Sequence, residues 1–163
     1  MKKICISLFL IVTIILITGC GKESLEEKME KEDNEEVLHC TRNVTAQDNI
    51  TTDIKYSIYY DGDYVTKTVS IEKVTSSDKN ILKTYKEAYE KVFSNYKGID
   101  YYDNKVEQKG NTVSSITVVN YKKVDVDKII EIEGKEDNIF DDDGKVKKDT
   151  LVSFYKKYGV TCK

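Results

Sequence analysis

The sequence has little of what most catalytic and metal sites are built from. Its 163 residues include one histidine and eight glycines, and they include no proline and no tryptophan. A single histidine excludes the paired-histidine metal motifs, and the glycines form no phosphate-binding loop. A serine-triad signature is also missing. Because these motifs are missing, we expect no cofactor. The low proline content, beside abundant Lys, Asn, Ile and Tyr, is typical of an AT-rich genome.

The single histidine does not form a catalytic pair with its neighbour. His39 directly precedes Cys40. In a strand, consecutive side chains point to opposite faces, which places the two residues poorly as nucleophile and base. An ordinary strand or surface histidine is the favoured interpretation.

The sequence has no apolar run long enough to span a membrane. The apolar stretch 4–17, broken only by Ser7 and Thr13, is shorter than the ~20 residues that a transmembrane helix needs. It follows Met1-Lys2-Lys3, and a short basic patch before a short apolar run is typical of an export signal. We therefore predict a signal peptide over residues 1–19.

The end of this segment resembles a lipobox. Ile17-Thr18-Gly19-Cys20 is an aliphatic residue, two small residues and a cysteine. In lipoproteins of this kind the cysteine receives a diacylglycerol, and two acyl chains anchor stably where one does not. We expect Cys20 to be the lipidated N-terminus, on the extracytoplasmic face of the cell membrane. The alternative is an ordinary secretory signal that happens to contain a cysteine.

A surplus of positive charge is also missing. The chain has 26 basic and 29 acidic residues, and the predicted signal peptide carries two lysines and no acid, which leaves 24 against 29. A negative balance argues against a nucleic-acid partner. Residues 20–36 are highly charged and lack aromatic and β-branched residues, so we expect a flexible, lipid-anchored tether that reaches ~20–25 Å. The remaining residues, 37–163, suit a single domain.

Two of the four cysteines are left for the folded domain. Cys5 belongs to the predicted signal peptide and Cys20 to the lipid, whereas Cys40 and Cys162 lie at the two ends of the domain. An extracytoplasmic compartment permits disulfides, so we predict a structural Cys40–Cys162 bond. Free thiols, a redox pair and a metal site are the alternatives. The redox pair lacks the C-x-x-C spacing, and the metal site would have at most one histidine.

Hydrophobic periodicity predicts an α+β domain. Residues 37–45 suit a strand, and residues 54–60 alternate as a half-buried strand does. Asp61-Gly62 marks a hairpin. In the returning strand, 64–74, the alternation puts Val65, Val69 and Ile71 on one face, where Lys67 interrupts them and suggests an edge position.

A helix follows, with a cap at residues 76–78 and a closing Gly98. Its apolar stripe comprises Ile81, Leu82, Tyr85, Tyr89, Val92, Phe93 and Tyr96. Strands over 99–108 and 112–121, a helix over 124–132 capped by Asp125, and a polar loop over 133–148 come next. Asp149 or Thr150 caps a last helix, and residues 160–162 return beside Cys40. The order βββ-α-ββ-α-α predicts an antiparallel sheet of about five strands with helices packed on one face.

This layout resembles the YehR-like family of small bacterial lipoproteins. The matching stretches are KYSIYYDGDYVTKTVSIEK, ILKTYKEAYEKVFSNYKGI, VEQKGNTVSSITVVNYKKVDVDKI and the terminal KKYGVTCK. These motifs are structural. The resemblance implies the fold and an address at the cell envelope, and it brings no catalytic residues.

The acidic loop over residues 136–143 is the best place to look for a metal, with Asp141 and Asp143 as weak candidates for Ca²⁺. An EF-hand register anchored on Gly144 puts Ile139 and Thr150 at the first and last ligand positions, where acids are required. A solvated acidic turn is favoured, and we predict no metal.

Tyrosine is the one abundant aromatic residue, with twelve copies. Exposed tyrosines can stack on sugars or form interface hot spots, whereas buried ones fill the space between a sheet and a helix. The filling role is favoured for the tyrosines near strand ends, which are Tyr59, Tyr60, Tyr64, Tyr101 and Tyr102.

The sequence thus predicts a lipid-anchored, non-catalytic binding or interaction module at the cell envelope, with an envelope protein as a candidate partner. A structural or assembly role without a ligand is one alternative. A thiol-redox factor is the other.

Overall fold

The computed structural model describes residues 25–29, 35–46, 50–134 and 138–163. Cys20 and the predicted signal peptide lie outside this part. The strands are β1 (Glu36–Thr45), β2 (Thr51–Asp61), β3 (Tyr64–Thr75), β4 (Tyr102–Lys109), β5 (Thr112–Asn120) and β6 (Thr161–Cys162). The helices are α1 (Leu25–Lys28), α2 (Lys79–Ser94), α3 (Val126–Glu133) and α4 (Lys148–Lys157). No helix in these described ranges is both long and apolar enough to cross a membrane.

The strands form one antiparallel sheet in the order β4-β5-β3-β2-β1-β6. The predicted α+β class is confirmed, but the sheet has six strands rather than about five. The additional strand is the short β6, which pairs Cys162 with Cys40 and Thr161 with Thr41. Its position beside Cys40 agrees with the predicted return of the chain.

The two ends of the domain are joined at this edge of the sheet. Cys40 and Cys162 form a disulfide with an S–S distance of 2.11 Å across 122 residues of sequence. His39 and Lys163 add two backbone hydrogen bonds, of 2.9 and 3.3 Å, beside it. Cys40 is fully buried in a cluster with Ile58, Leu151 and Val160, so the bond is part of the core.

A bulge in the β2–β3 hairpin corrects the predicted face of β3. The register shifts between Tyr59 and Tyr60. As a result Val65 joins the cluster around Cys40, whereas Val69 lies on the opposite face of the sheet. Lys67 is not at an edge: it lies in a central strand, is 5% exposed, and places its Nζ 4.5 Å from the centre of the Tyr59 ring.

The three predicted helices, α2, α3 and α4, pack on one face of the sheet, as expected. Helix α1 lies on the other: Lys28 is 2.6 Å from the carboxylate of Asp103, and the Tyr59 hydroxyl donates to the carbonyl of Met29 at 2.9 Å. Asp103 and Tyr59 stand on the face opposite the three longer helices. Leu25–Lys28 and the buried Glu35, which belong to the predicted tether, therefore contact the domain in this structure.

Several element boundaries differ from the predicted ones. Strand β2 begins at Thr51 rather than at residue 54, and helix α2 ends at Ser94, before the predicted closing Gly98. Strand β1 begins at Glu36 rather than at residue 37. Strand β4 begins at Tyr102 rather than at residue 99, because Tyr101 has a φ of 65° and Ile99 is buried in a turn before the strand. Helix α4 is preceded by Lys147, which makes no side-chain cap, instead of by Asp149 or Thr150. The predicted caps Asp78 and Asp125 are confirmed, since each carboxylate accepts a backbone N–H of its own helix.

Removing the disulfide should destabilise the domain without changing its topology. We expect the double variant Cys40→Ala/Cys162→Ala to lose roughly 2–5 kcal/mol of unfolding free energy, because the bond closes most of the domain into one loop. Urea denaturation followed by circular dichroism measures this. The wild type in reductant is the control and should approach the double variant. A double variant as stable as the oxidised wild type would contradict the prediction.

Candidate functional site

A cleft separates the three longer helices from the sheet. Its volume is about 440 Å³ and it is partly open to solvent, a size that suits a small organic molecule. The lining combines β2, β3 and β5 with α2, α3 and α4. A depression of about 640 Å³ lies on the outer side of α4. We regard the first cleft as the candidate site because buried side chains of the central strands form its base.

The base of the cleft is polar. We call it the polar floor: Thr68, Ser70 and Glu72 from β3, with Ser115 and Thr117 from β5. These strands are neighbours at the centre of the sheet, and Thr68 and Ser115 are buried. A sheet face that helices cover normally carries apolar side chains. Several of these groups bond within the domain: Glu72 accepts two tyrosine hydroxyls, and Thr68 and Ser70 hydrogen-bond to Tyr121 and Tyr155.

Aromatic rings surround the polar floor. We call them the aromatic wall: Tyr56, Tyr89, Phe93, Tyr102, Tyr121, Phe140, Phe154 and Tyr155. Tyr56 of β2 stacks on Tyr155 of α4 with ring centres 4.3 Å apart. Tyr121 and Phe140 are tilted at 6.0 Å. The rings occupy the space between the sheet and the helices around the polar floor.

The α2 stripe therefore borders a cleft instead of a packed core. Of its predicted members only Leu82 is buried, near the start of the helix. Tyr85 and Val92 are 36% and 52% exposed. Tyr89 and Phe93, further along the helix, line the cleft.

Glu72 is the centre of the hydrogen bonding in the cleft. Its Oε1 accepts from the Tyr56 hydroxyl at 3.1 Å and its Oε2 from the Tyr89 hydroxyl at 3.2 Å. Burial, and then the negative charge of Glu72, raise the pKa of both tyrosines well above the usual value of 10.0. Both phenols therefore remain protonated donors at neutral pH. The carboxylate links β2, β3 and α2.

The other tyrosines of the aromatic wall are also held in the protonated form. Burial is the main cause of the raised pKa at Tyr102 and Tyr155. It raises the pKa of Tyr121 to about 12, although the hydroxyl of Thr68 acts in the opposite direction. Tyr96, beside the cleft, donates to Glu133 at 3.0 Å, and burial followed by that charge raises its pKa to about 12.

The residues that the sequence singled out do not assemble into one site. The Nδ1 of His39 lies 3.2 Å from the Ser57 hydroxyl, on the face opposite the cleft. Among the five tyrosines near strand ends, Tyr102 lines the cleft, while Tyr60, Tyr64 and Tyr101 each lie under a lysine. Tyr59 contacts α1.

Residues 136 and 137 of the acidic loop lie outside the described part, and the rest of the loop is held by hydrogen bonds within its own turn. The Oδ1 of Asp141 accepts the N–H groups of Asp143 and Lys145 at 3.1 and 2.9 Å. A β-bridge joins Phe140 to Val146. Within the described residues, no group of three or more His, Cys, Asp or Glu side chains could hold a metal ion.

Sequence reasoning missed Glu72, Ser70, Thr117 and most of the aromatic wall. One signal was available: the alternation in β3 puts Thr68, Ser70 and Glu72 on the same face. Without the bulge and the sheet order, that face reads as solvent-exposed. The partners of these residues on β5, α2 and α4 are distant in sequence.

Comparisons with known proteins support the fold. No protein-family model matches the chain, and no curated protein matches it. The fold resembles that of the E. coli YehR protein. Its NMR structure shares 19% identity with a TM-score of 0.60, over 81% of this chain and 93% of that one. The NMR structure of a protein from Streptococcus pneumoniae TIGR4 shares 16% identity with a TM-score of 0.48, over 90% of this chain and 98% of that one. The likeness to the E. coli structure confirms the predicted YehR-like fold.

The buried tyrosines should make the domain sensitive to alkali. Their pKa values are raised above 10.0 in the folded chain. Above pH 10 the unfolded chain therefore loses phenol protons that the folded chain keeps, and stability falls as pH rises. We expect phenolate absorbance at 295 nm to appear at higher pH in the folded protein than in urea. Urea midpoints at pH 9 and pH 11 should show the loss. Coinciding titrations of the folded and unfolded protein would contradict the prediction.

Proposed function

We propose that this chain is a lipid-anchored extracytoplasmic protein that binds a small ligand in the cleft between its sheet and its helices, without catalysing a reaction. The observation that carries the proposal is the polar floor beneath the helices. Replacing hydroxyls and a carboxylate by valine or leucine would fill this space with ordinary core. The chain instead keeps hydrogen-bonding groups at the base of a cleft with aromatic walls, which is the usual composition of a small-molecule site.

The position of α1 fits an anchor on the side away from the cleft. Helix α1 begins at Leu25, five residues after Cys20, so it would lie within roughly 18 Å of the lipid. Helix α1 contacts Asp103 and Tyr59 on the face opposite the cleft. In this proposal the lipid is attached beside one face of the sheet, and the cleft opens from the other face toward an approaching ligand.

The anchor is tested at the cysteine of the lipobox. We expect Cys20→Ala to block lipid attachment and to leave an uncleaved precursor, because the thiol carries the diacylglycerol and cleavage follows it. Labelling with radioactive palmitate, together with gel mobility, measures both effects. Cys40→Ala is the control and should still be labelled and cleaved. Normal maturation of Cys20→Ala, with release from the membrane, would overturn the anchor.

The cleft is tested by filling it. We expect a fragment library to shift NMR signals of Tyr56, Tyr89 and Tyr155 in the full-length protein, and we expect Ser70→Leu to abolish these shifts by occupying the polar floor. Ser114→Leu is the matched control, since Ser114 lies on β5 but on the opposite face from Ser115.

Two results would contradict a ligand site in the cleft. One is the absence of any fragment that shifts the three tyrosines. The other is a set of fragments that bind Ser70→Leu as well as the wild type. Either result would favour a structural or assembly role without a ligand.

A further inference from the structure

All charged side chains that line the cleft are acidic. They are Glu72 and Glu133, and none of the lysines or arginines of the described chain belongs to the lining. The protein as a whole has 26 basic and 29 acidic residues, so this single sign is a local property. Arg42 lies outside the lining, and its charge is the smallest of the influences on the pKa of Tyr56, which burial and Glu72 raise. A negative, partly desolvated cleft repels anions and concentrates cations.

Glu72 has capacity left for a ligand. Each of its oxygens accepts one tyrosine hydroxyl, while an ionised carboxylate offers about four acceptor positions. The phenols lower the cost of keeping this charge beneath the helices, and they hold the carboxylate in a fixed orientation. A cation in the cleft would meet a charge that is already in place.

The aromatic wall supplies the second feature that a cation needs. The faces of aromatic rings carry partial negative charge and attract ammonium groups, and surrounding rings are the usual way in which proteins recognise quaternary ammonium. Eight rings line this cleft. The stacked pair Tyr56–Tyr155 stands beside Glu72, because Tyr56 donates to its carboxylate.

The dimensions and ligands of the cleft distinguish an organic cation from a metal ion. A volume of about 440 Å³ is many times that of a bare ion. Ca²⁺ takes roughly six to eight oxygen ligands held close together. In the described cleft two carboxylates are present, on different elements, and each accepts a tyrosine hydroxyl. Rings with one central carboxylate suit an ammonium head with an apolar body.

On these grounds we infer that the cleft binds a small organic cation, with its ammonium group against the carboxylate of Glu72 and surrounded by the side chains of Tyr56, Tyr89 and Tyr155. This inference rests on the proposed function and names the ligand class of the same site. A neutral polyhydroxyl ligand, such as a sugar, would use the floor hydroxyls and the rings but would not need the charge. The two classes are therefore separated by experiment.

The test compares two molecules of the same shape. Choline and 3,3-dimethylbutan-1-ol differ in the positive charge, and glucose represents the sugars. Calorimetry on the full-length protein, in an uncharged polyoxyethylene detergent that carries no sugar, measures the three affinities. We expect choline to bind at least tenfold more tightly than its neutral isostere, and glucose to bind more weakly than choline.

Variants connect the preference to Glu72. Glu72→Gln keeps an oxygen acceptor for a tyrosine hydroxyl and removes the charge, so we expect it to reduce the choline preference at least tenfold. Glu87→Gln, on the exposed side of α2, is the matched control and should leave the preference unchanged. If Glu72→Gln does not fold, Tyr89→Leu removes one ring from the same site, and we expect weaker choline binding with the control unaffected.

The outcomes separate this inference from the proposed function. Equal affinity for choline and its neutral isostere, tighter binding of glucose, or a choline preference that survives in Glu72→Gln would overturn the cationic ligand. If fragments still shift the three tyrosines, the cleft remains a binding site of another class. If neither choline nor any fragment binds, both proposals fail.

Discussion

The carboxylate of Glu72 connects the parts of the domain that form the cleft. It stands on the central strand β3 and accepts hydroxyls from Tyr56 of β2 and Tyr89 of α2. A carboxylate beneath a helix is costly unless it is hydrogen-bonded. Each tyrosine meets this need with its hydroxyl while its ring packs between the sheet and the helices. The carboxylate thus joins α2 to two strands at the cleft, whereas the start of α2 packs on the sheet through the buried Leu82.

Apolar clusters lie on either side of the cleft. Cys40, Ile58, Leu151 and Val160 form a conventional core at the β1–β6 edge, and the disulfide lies inside it. A smaller cluster around Ile99, Val119 and Ile129 closes the far end of the cleft. Two apolar clusters thus hold the helices at both ends, and the polar floor lies between them. A site of this kind can keep hydroxyls and a charge, because packing elsewhere fixes its geometry.

Much of the fold could be predicted from local pattern. The alternation in β2, the Asp61-Gly62 turn and the Asp78 and Asp125 caps depend on residues near one another in sequence. The disulfide was predicted from the expected compartment and from the count of cysteines. The predictions were wrong where contacts between residues distant in sequence determine the structure. The β2–β3 bulge moved Val65 to the other face, and the strand order placed Lys67 in a central strand. Lys28 and Met29, in the predicted tether, contact the sheet on the face opposite the three longer helices.

The sequence by itself determined the class of the fold, the order of its elements and the pairing of Cys40 with Cys162, because these depend on periodicity, turn chemistry and composition. The tertiary structure alone decided the site. In the sequence Glu72 is one of many charged residues. In the structure the strand order places it on a central strand, under α2. Its partners are 16 and 17 residues away in sequence, and the rings of α4 are further still. No local pattern reports such contacts, since they depend on how the sheet and the helices pack.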